Sequence, residues 1–177
     1  PVGKKVIAMG AARLDDPVKG FELMTEAVNH IATQYPEKAK NLQLLLFGDI
    51  RNPELLTQLK LPYEWIGPVS LERIPELYRR SDIVLSSSHF ETLPTTLIEG
   101  QAAGCLAVAF DHGGQRDIIN HRKNGYLAKY ADTADLAEGL LWAAEQTADR
   151  AALHYSVMER FSEARIAEMY IRLFEQL

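Results

Sequence analysis

Val6-Ile7-Ala8-Met9-Gly10-Ala11-Ala12-Arg13-Leu14-Asp15-Asp16-Pro17-Val18-Lys19-Gly20 opens on a short apolar run and passes through charges and turn formers. It then leads into Phe21, Met24, Ala27, Val28 and Ile31, which are apolar at helical spacing. A strand buried on both faces shows a continuous apolar run, whereas an amphipathic helix shows a stripe with a 3.6-residue period. The stretch therefore predicts strand, loop and helix in that order. Working outward, further apolar runs fall at Leu42 to Phe47, Tyr63 to Ile66, Ile83 to Leu85, Cys105 to Phe110 and Tyr126 to Ala128. Helical stripes fall between them, at Leu71, Ile74, Leu77 and Tyr78 after a Ser70 cap, and at Leu136, Leu140, Leu141 and Ala144 after Asp132 or Thr133. Strands that alternate with helices predict an α/β fold, a Rossmann-like doubly wound parallel sheet of about six strands with helices on both faces. From about Asp149 to Leu177 the pattern is helical only, with Ser162 as a cap and Ile166, Met169, Leu173, Phe174 and Leu177 as its stripe. Extra C-terminal helices are expected there.

The 177 residues carry 24 acidic and 19 basic side chains, a net charge of -5, and are 47% hydrophobic. This is the composition of an ordinary globular domain, and at this length it buries roughly 70% of its unfolded surface without needing staples. The negative balance argues against a nucleic-acid partner, which needs cations to neutralise phosphates. No apolar run has the ~18 to 20 residues of a transmembrane helix. Cys105 is the only cysteine, so no internal disulfide or cysteine-cluster zinc site can form, which suits a cytoplasmic location. The opening Pro1-Val2-Gly3-Lys4 reads as a linker, so residues 1–177 are expected to be one domain of a longer protein.

In doubly wound sheets ligands bind beyond the carboxyl ends of the strands. The loop after Met9 brings Arg13 and Lys19 to such an end, a planar fork and a mobile ammonium suited to a diphosphate, although Asp15 and Asp16 are equally ready surface partners. Gly10 and Gly20 are too far apart for a dinucleotide fingerprint. The stretch Glu91-Thr92-Leu93-Pro94-Thr95-Thr96-Leu97-Ile98-Glu99 holds two glutamates eight positions apart. Pro94 is expected as the first helical residue, leaving the amides of Leu93 to Thr96 as an anion site at the positive end of a helix dipole. Glu99 then lies roughly 7 Å along that helix, near the span from a nucleotide phosphate to its ribose. Small residues follow it (Gly100, Ala102, Ala103, Gly104), which suits close packing and calls for a partner for the Glu99 charge. His89 and His112 are expected as hydrogen-bonded loop residues, His30, His121 and His154 as surface residues, and Cys105, Trp142, Phe161 and Tyr170 as packing.

Together, the Arg13 to Gly20 loop, the pair Glu91 and Glu99, and the run from Asp111-His112-Gly113-Gly114 to Asn124-Gly125 resemble the C-terminal, donor-binding domain of family 4 retaining glycosyltransferases of the GT-B architecture. The resemblance implies that Arg13 and Lys19 hold the donor's diphosphate and that Glu91 serves the donor sugar, these three forming the catalytic set. It further implies that Glu99 holds the ribose, that Leu93, Thr95 and Thr96 face the phosphates, and that Gly67 and Val69, with Gly10 at the first strand end, border the nucleotide. It implies no cofactor and no metal, the donor being a nucleoside-diphosphate sugar such as one of UDP or GDP. The acceptor, a glycan, lipid or protein, is assigned to a missing N-terminal domain, through which the enzyme can lie at the inner membrane face. Leu106 departs from the family's usual proline, and Asp117 from its common glutamate. Two rival functions share the architecture, a nucleotide-sugar epimerase and a non-catalytic nucleotide-binding module.

Overall fold

The computed structural model describes residues 3–175; Pro1 and Val2 of the linker-like start and Leu177 of the terminal stripe lie outside them. Among the described residues six strands form one parallel sheet: β1 (Lys5–Arg13), β2 (Leu42–Asp49), β3 (Tyr63–Trp65), β4 (Ile83–Ser86), β5 (Leu106–Phe110) and β6 (Gly125–Ala128), in the order β3-β2-β1-β4-β5-β6. The helices are α1 (Phe21–Gln34), α2 (Pro36–Ala39), α3 (Ile74–Arg79), α4 (Thr95–Ala102), α5 (Gln115–Ile118), α6 (Thr133–Glu145), α7 (Arg150–Phe161) and α8 (Glu163–Phe174). None of them is long and apolar enough to cross a membrane.

Period-2 alternation sorts each strand onto two cores. Ile7, Met9, Leu44, Leu46, Ile83, Leu85, Val108 and Phe110 point to one side, where Phe21, Met24, Val28 and Ile31 of α1 and Leu136 and Leu140 of α6 cover them. Ala8, Leu45, Phe47, Val84, Ala107 and Ala109 point to the other, beneath Leu77 and Tyr78 of α3, Leu97 of α4 and Ile118 of α5. The second face carries smaller strand side chains, so α4 can come close. A Cβ on Gly100 would stand 2.5 Å from the Val84 side chain, which is why the small-residue segment belongs here.

Two elements extend further than the apolar runs suggest. β1 continues past Met9 to Arg13, with a register shift between Gly10 and Arg13 against β2, so Arg13 stands at a strand end rather than inside a loop. β2 likewise runs on to Asp49. Asp132 caps α6, its side chain accepting from the Asp135 amide, and Asp149 caps α7 through the Ala152 amide. Ser162 caps α8 through the Arg165 amide. Ser70 does not cap: its segment begins as a 3-10 turn, Leu71–Arg73, and the hydroxyl bonds no helix amide. The expectation of packing for Tyr170 is corrected, because Met169, Tyr170, Leu173 and Phe174 are all exposed on α8 while Phe161 packs against the α4 side of the sheet.

Candidate functional site

The sheet order reverses between β1 and β4. β2 and β3 extend from β1 in one direction, and β4, β5 and β6 in the other. In doubly wound sheets ligands bind at such a reversal, beyond the carboxyl ends of the two strands and between the loops that follow them. The two loops are bonded to each other. Ser87 Oγ donates to Gly20 O at 2.8 Å and to Lys19 O at 3.1 Å, and the His89 amide donates to Val18 O at 2.8 Å. Gly20 sits at φ +62°, and a Cβ there would lie 2.1 Å from Ser87 O. Only glycine allows that left-handed turn and that approach at once.

This stitching brings the sequence-predicted charges together. Lys19 Nζ donates to Glu91 Oε1 at 2.7 Å, and Ser88 Oγ donates to the same oxygen at 2.9 Å. Glu91 Oε2 has no bond among the described residues. The loop after β5 supports the glutamate from behind, with the Gly114 amide donating to Glu91 O at 3.1 Å. Arg13 stands at the end of β1 and meets both aspartates the sequence offered. Its Nε is 3.5 Å from Asp15 Oδ1, and one terminal nitrogen is 3.3 Å from Asp16 Oδ2.

Helix α4 starts one residue later than the sequence suggests, with Pro94 as N-cap rather than first helical residue, and no side chain caps it. Proline has no polar side chain with which to accept from the first helical amides, and only its carbonyl can do so. The Leu97 and Ile98 amides both turn back to Pro94 O, at 3.1 and 3.5 Å. The amides of Leu93, Thr95 and Thr96 make no bond among the described residues, at the positive end of the helix dipole. Glu99 is four residues into α4, about 6 Å along its axis. The partner that the sequence called for is absent: among the described residues the carboxylate takes no hydrogen bond or ion pair. Glu99 instead borders a cavity of about 470 Å³ between α3 and α4, with Ile74, Tyr78, Arg79 and His154. The residue is exposed, yet loss of water to these neighbours raises its pKa above the ordinary glutamate value.

The remaining candidates lie at strand ends further from this pair. Gly10 is on β1 opposite Phe47. Gly67 follows β3, two strands from β1, and its carbonyl accepts from the Gly48 amide at 2.8 Å. Val69 is partly buried against the core on the face of the sheet that α3 and α4 cover. Cys105 is buried, donates to the carbonyls of Tyr78 and Ser81, and has a thiol pushed up to about 12 by burial, which makes it a packing residue. His89 is hydrogen-bonded as expected, with Nε2 2.8 Å from Glu22 Oε1 and Nδ1 3.2 Å from the Tyr130 hydroxyl. The sequence did not reveal Ser87 and Ser88 as the links between the loops. Their only mark was a run of three serines at the end of an apolar strand.

At the switch point of this doubly wound sheet two cations, Arg13 and Lys19, thus stand among three carboxylates, Asp15, Asp16 and Glu91. Comparison with known proteins gives the family. Residues 2–160 match the family of glycosyl transferases group 1, and the chain belongs to that family. It is 30% identical over 146 residues to the mannosylfructose-phosphate synthase of Agrobacterium fabrum, covering 76% of this chain and 31% of that protein. With a D-inositol 3-phosphate glycosyltransferase of Geodermatophilus obscurus it shares 28% identity over 135 residues, covering 70% of this chain and 30% of that one. The chain thus spans about a third of the length of these curated relatives. Among solved structures, Anabaena Alr3699/HepE in complex with UDP and glucose superposes with a TM-score of 0.79 at 21% identity, over 99% of this chain and 49% of that one. The fold is that of a GT-B glycosyltransferase domain.

Proposed function

We propose that residues 1–177 are the donor-binding domain of a retaining, metal-independent glycosyltransferase, with a nucleoside-diphosphate sugar in the crevice between β1 and β4. Arg13 and Lys19 take the diphosphate together with the amides of Leu93, Thr95 and Thr96. Glu91 takes the donor sugar, Glu99 the ribose, and the backbone at Gly10, Gly67 and Val69 borders the base. The acceptor, whether glycan, lipid or protein, is held by a second, N-terminal domain.

One observation carries this reading: Lys19 and Glu91, 72 positions apart in sequence, meet at 2.7 Å at the switch point, four residues before a helix start whose first amides make no bond among the described residues. Charge grows on the diphosphate as the glycosidic bond to the leaving group breaks. A fixed guanidinium, an ammonium and helix amides oppose that charge without having to reorganise, and thereby lower the barrier. Lys19, held by Glu91, is pre-aimed and exchanges one anionic oxygen for another when the donor enters.

The test is thermal unfolding of the chain with UDP, GDP and ADP and their common sugars, each with and without EDTA. A ligand at 100 times its dissociation constant adds about 2.7 kcal/mol. A rise in melting temperature that survives EDTA is the expected result. No rise with any of these nucleotides would remove the reading.

A further inference from the structure

Asp15 lies in the loop after β1, two residues beyond Arg13, and its side chain is only 10% exposed. Its two oxygens do different work. Oδ2 accepts from the amides of Arg51 and Asn52 at 2.9 and 3.1 Å, which ties the loop after β1 to the loop after β2. Oδ1 is buried and makes no hydrogen bond, and Arg13 Nε, 3.5 Å away, is also buried and unbonded. That separation is within ion-pair range but too long for a well-formed hydrogen bond. A buried carboxylate oxygen facing a buried, unbonded N–H is unfavourable unless something closes the gap. The other arm of the guanidinium rests on Asp16, whose side chain is 41% exposed and is readily displaced by a stronger anion.

We propose that Asp15 is a positioning residue for Arg13. Clamped by two backbone amides, its carboxylate holds the Nε edge of the guanidinium, so that the terminal nitrogens leave Asp16 for the diphosphate while the gap between Nε and Oδ1 closes to a hydrogen bond. The inference rests on the diphosphate site described above and adds to it a link from the loop after β2, through Asp15, to the arginine.

Asp15→Asn separates the two roles. The Arg51 and Asn52 amides require an oxygen, so the new amide nitrogen must face Arg13 Nε, donor against donor. The tie between the loops survives and the hold on the guanidinium is lost. Calorimetric titration of UDP, GDP and ADP onto the wild type, Asp15→Asn, Arg13→Gln and the double variant measures the coupling. The expected result is a loss of about tenfold in affinity for Asp15→Asn in the wild-type background and no further loss when Arg13 is already Gln, with the melting temperature of the unliganded chain held. Asp15→Glu, which keeps the charge but displaces it by one methylene, is the second probe and should show the same coupling should Asp15→Asn fold poorly. Unchanged or tighter binding by Asp15→Asn would mean that its charge merely repels phosphate and would overturn the proposal. Equal losses in both backgrounds would overturn it too, since Asp15 would then act other than through Arg13. If the wild type binds none of the three nucleotides, the diphosphate site itself is wrong and the role of Asp15 falls with it, an outcome distinct from the other two.

Discussion

At the scale of single residues, the two glutamates of the 91–99 segment stand in opposite situations. Glu91 is tied to Lys19 and Ser88, whereas Glu99 has no partner among the described residues and borders a cavity. Glu99→Gln should therefore weaken a nucleoside diphosphate and the complete nucleotide sugar alike. Glu91→Gln should chiefly diminish the extra affinity contributed by the sugar. A lost hydrogen bond to a charged group is ~1.5 to 3 kcal/mol, or roughly ten- to a hundred-fold, so titration with both ligands resolves the two cases. Glu99 also gives a pH prediction. Its folded-state pKa is raised, so the folded form binds the proton more tightly than the unfolded form does. Its contribution to stability is then most favourable at acid pH and declines as pH rises through the folded value. Urea denaturation across pH 4 to 8 should show Glu99→Gln at least as stable as the wild type at neutral pH, with that advantage gone at the acid end. An Asn or Gln variant that loses stability at neutral pH would contradict this sign.

At the scale of elements, the contact between the β1 and β4 loops depends on one left-handed glycine. Gly20→Ala places a Cβ 2.1 Å from Ser87 O at φ +62°, and a non-glycine residue there costs roughly 1 to 3 kcal/mol before the clash is counted. Urea denaturation should show a loss of at least that size, accompanied by weaker nucleotide binding because Lys19 and Ser87 move together. This element was only half legible in sequence. The apolar run ending at Met9 and the stripe from Phe21 fix strand, loop and helix, since burial on two faces and on one stripe leave different periods. Nothing in that local pattern says that Ser87 will reach across 67 positions to Gly20, because such bonds are a property of the sheet order. The one-residue error at α4 has a similar origin: proline suits the first helical position and the N-cap nearly equally, and tertiary packing decides between them. Helix α8 shows the converse failure. Its apolar stripe was clear, and a stripe predicts burial, yet among the described residues its outer side chains cover nothing. Deleting residues 163–177 should accordingly lower the melting temperature by only a few degrees, a change on the order of 1 kcal/mol. A large collapse in circular-dichroism melts would show that α8 supports the core after all.

At the scale of the whole molecule, the proposed function makes this domain one wall of a cleft. We expect the purified chain to bind donor but not to transfer sugar to added acceptors, with slow donor hydrolysis as its most activity. Chromatographic assay of a radiolabelled nucleotide sugar checks this, and robust transfer would show that the chain is catalytically complete. The strand order has a further consequence during synthesis on the ribosome. β1, made first, ends up in the interior of the sheet, with β2 on one side and β4 on the other. Until Ile83 and Val84 pair with Ile7 and Ala8, a nascent chain that has completed β1 to β3 presents an open, apolar strand edge to its surroundings, the kind of edge that recruits other chains. The seam where the ligand is proposed to sit is the one that joins the two halves of the sheet, so a nucleotide that binds only the closed seam favours the folded chain, and its cellular yield should follow donor supply as well as temperature.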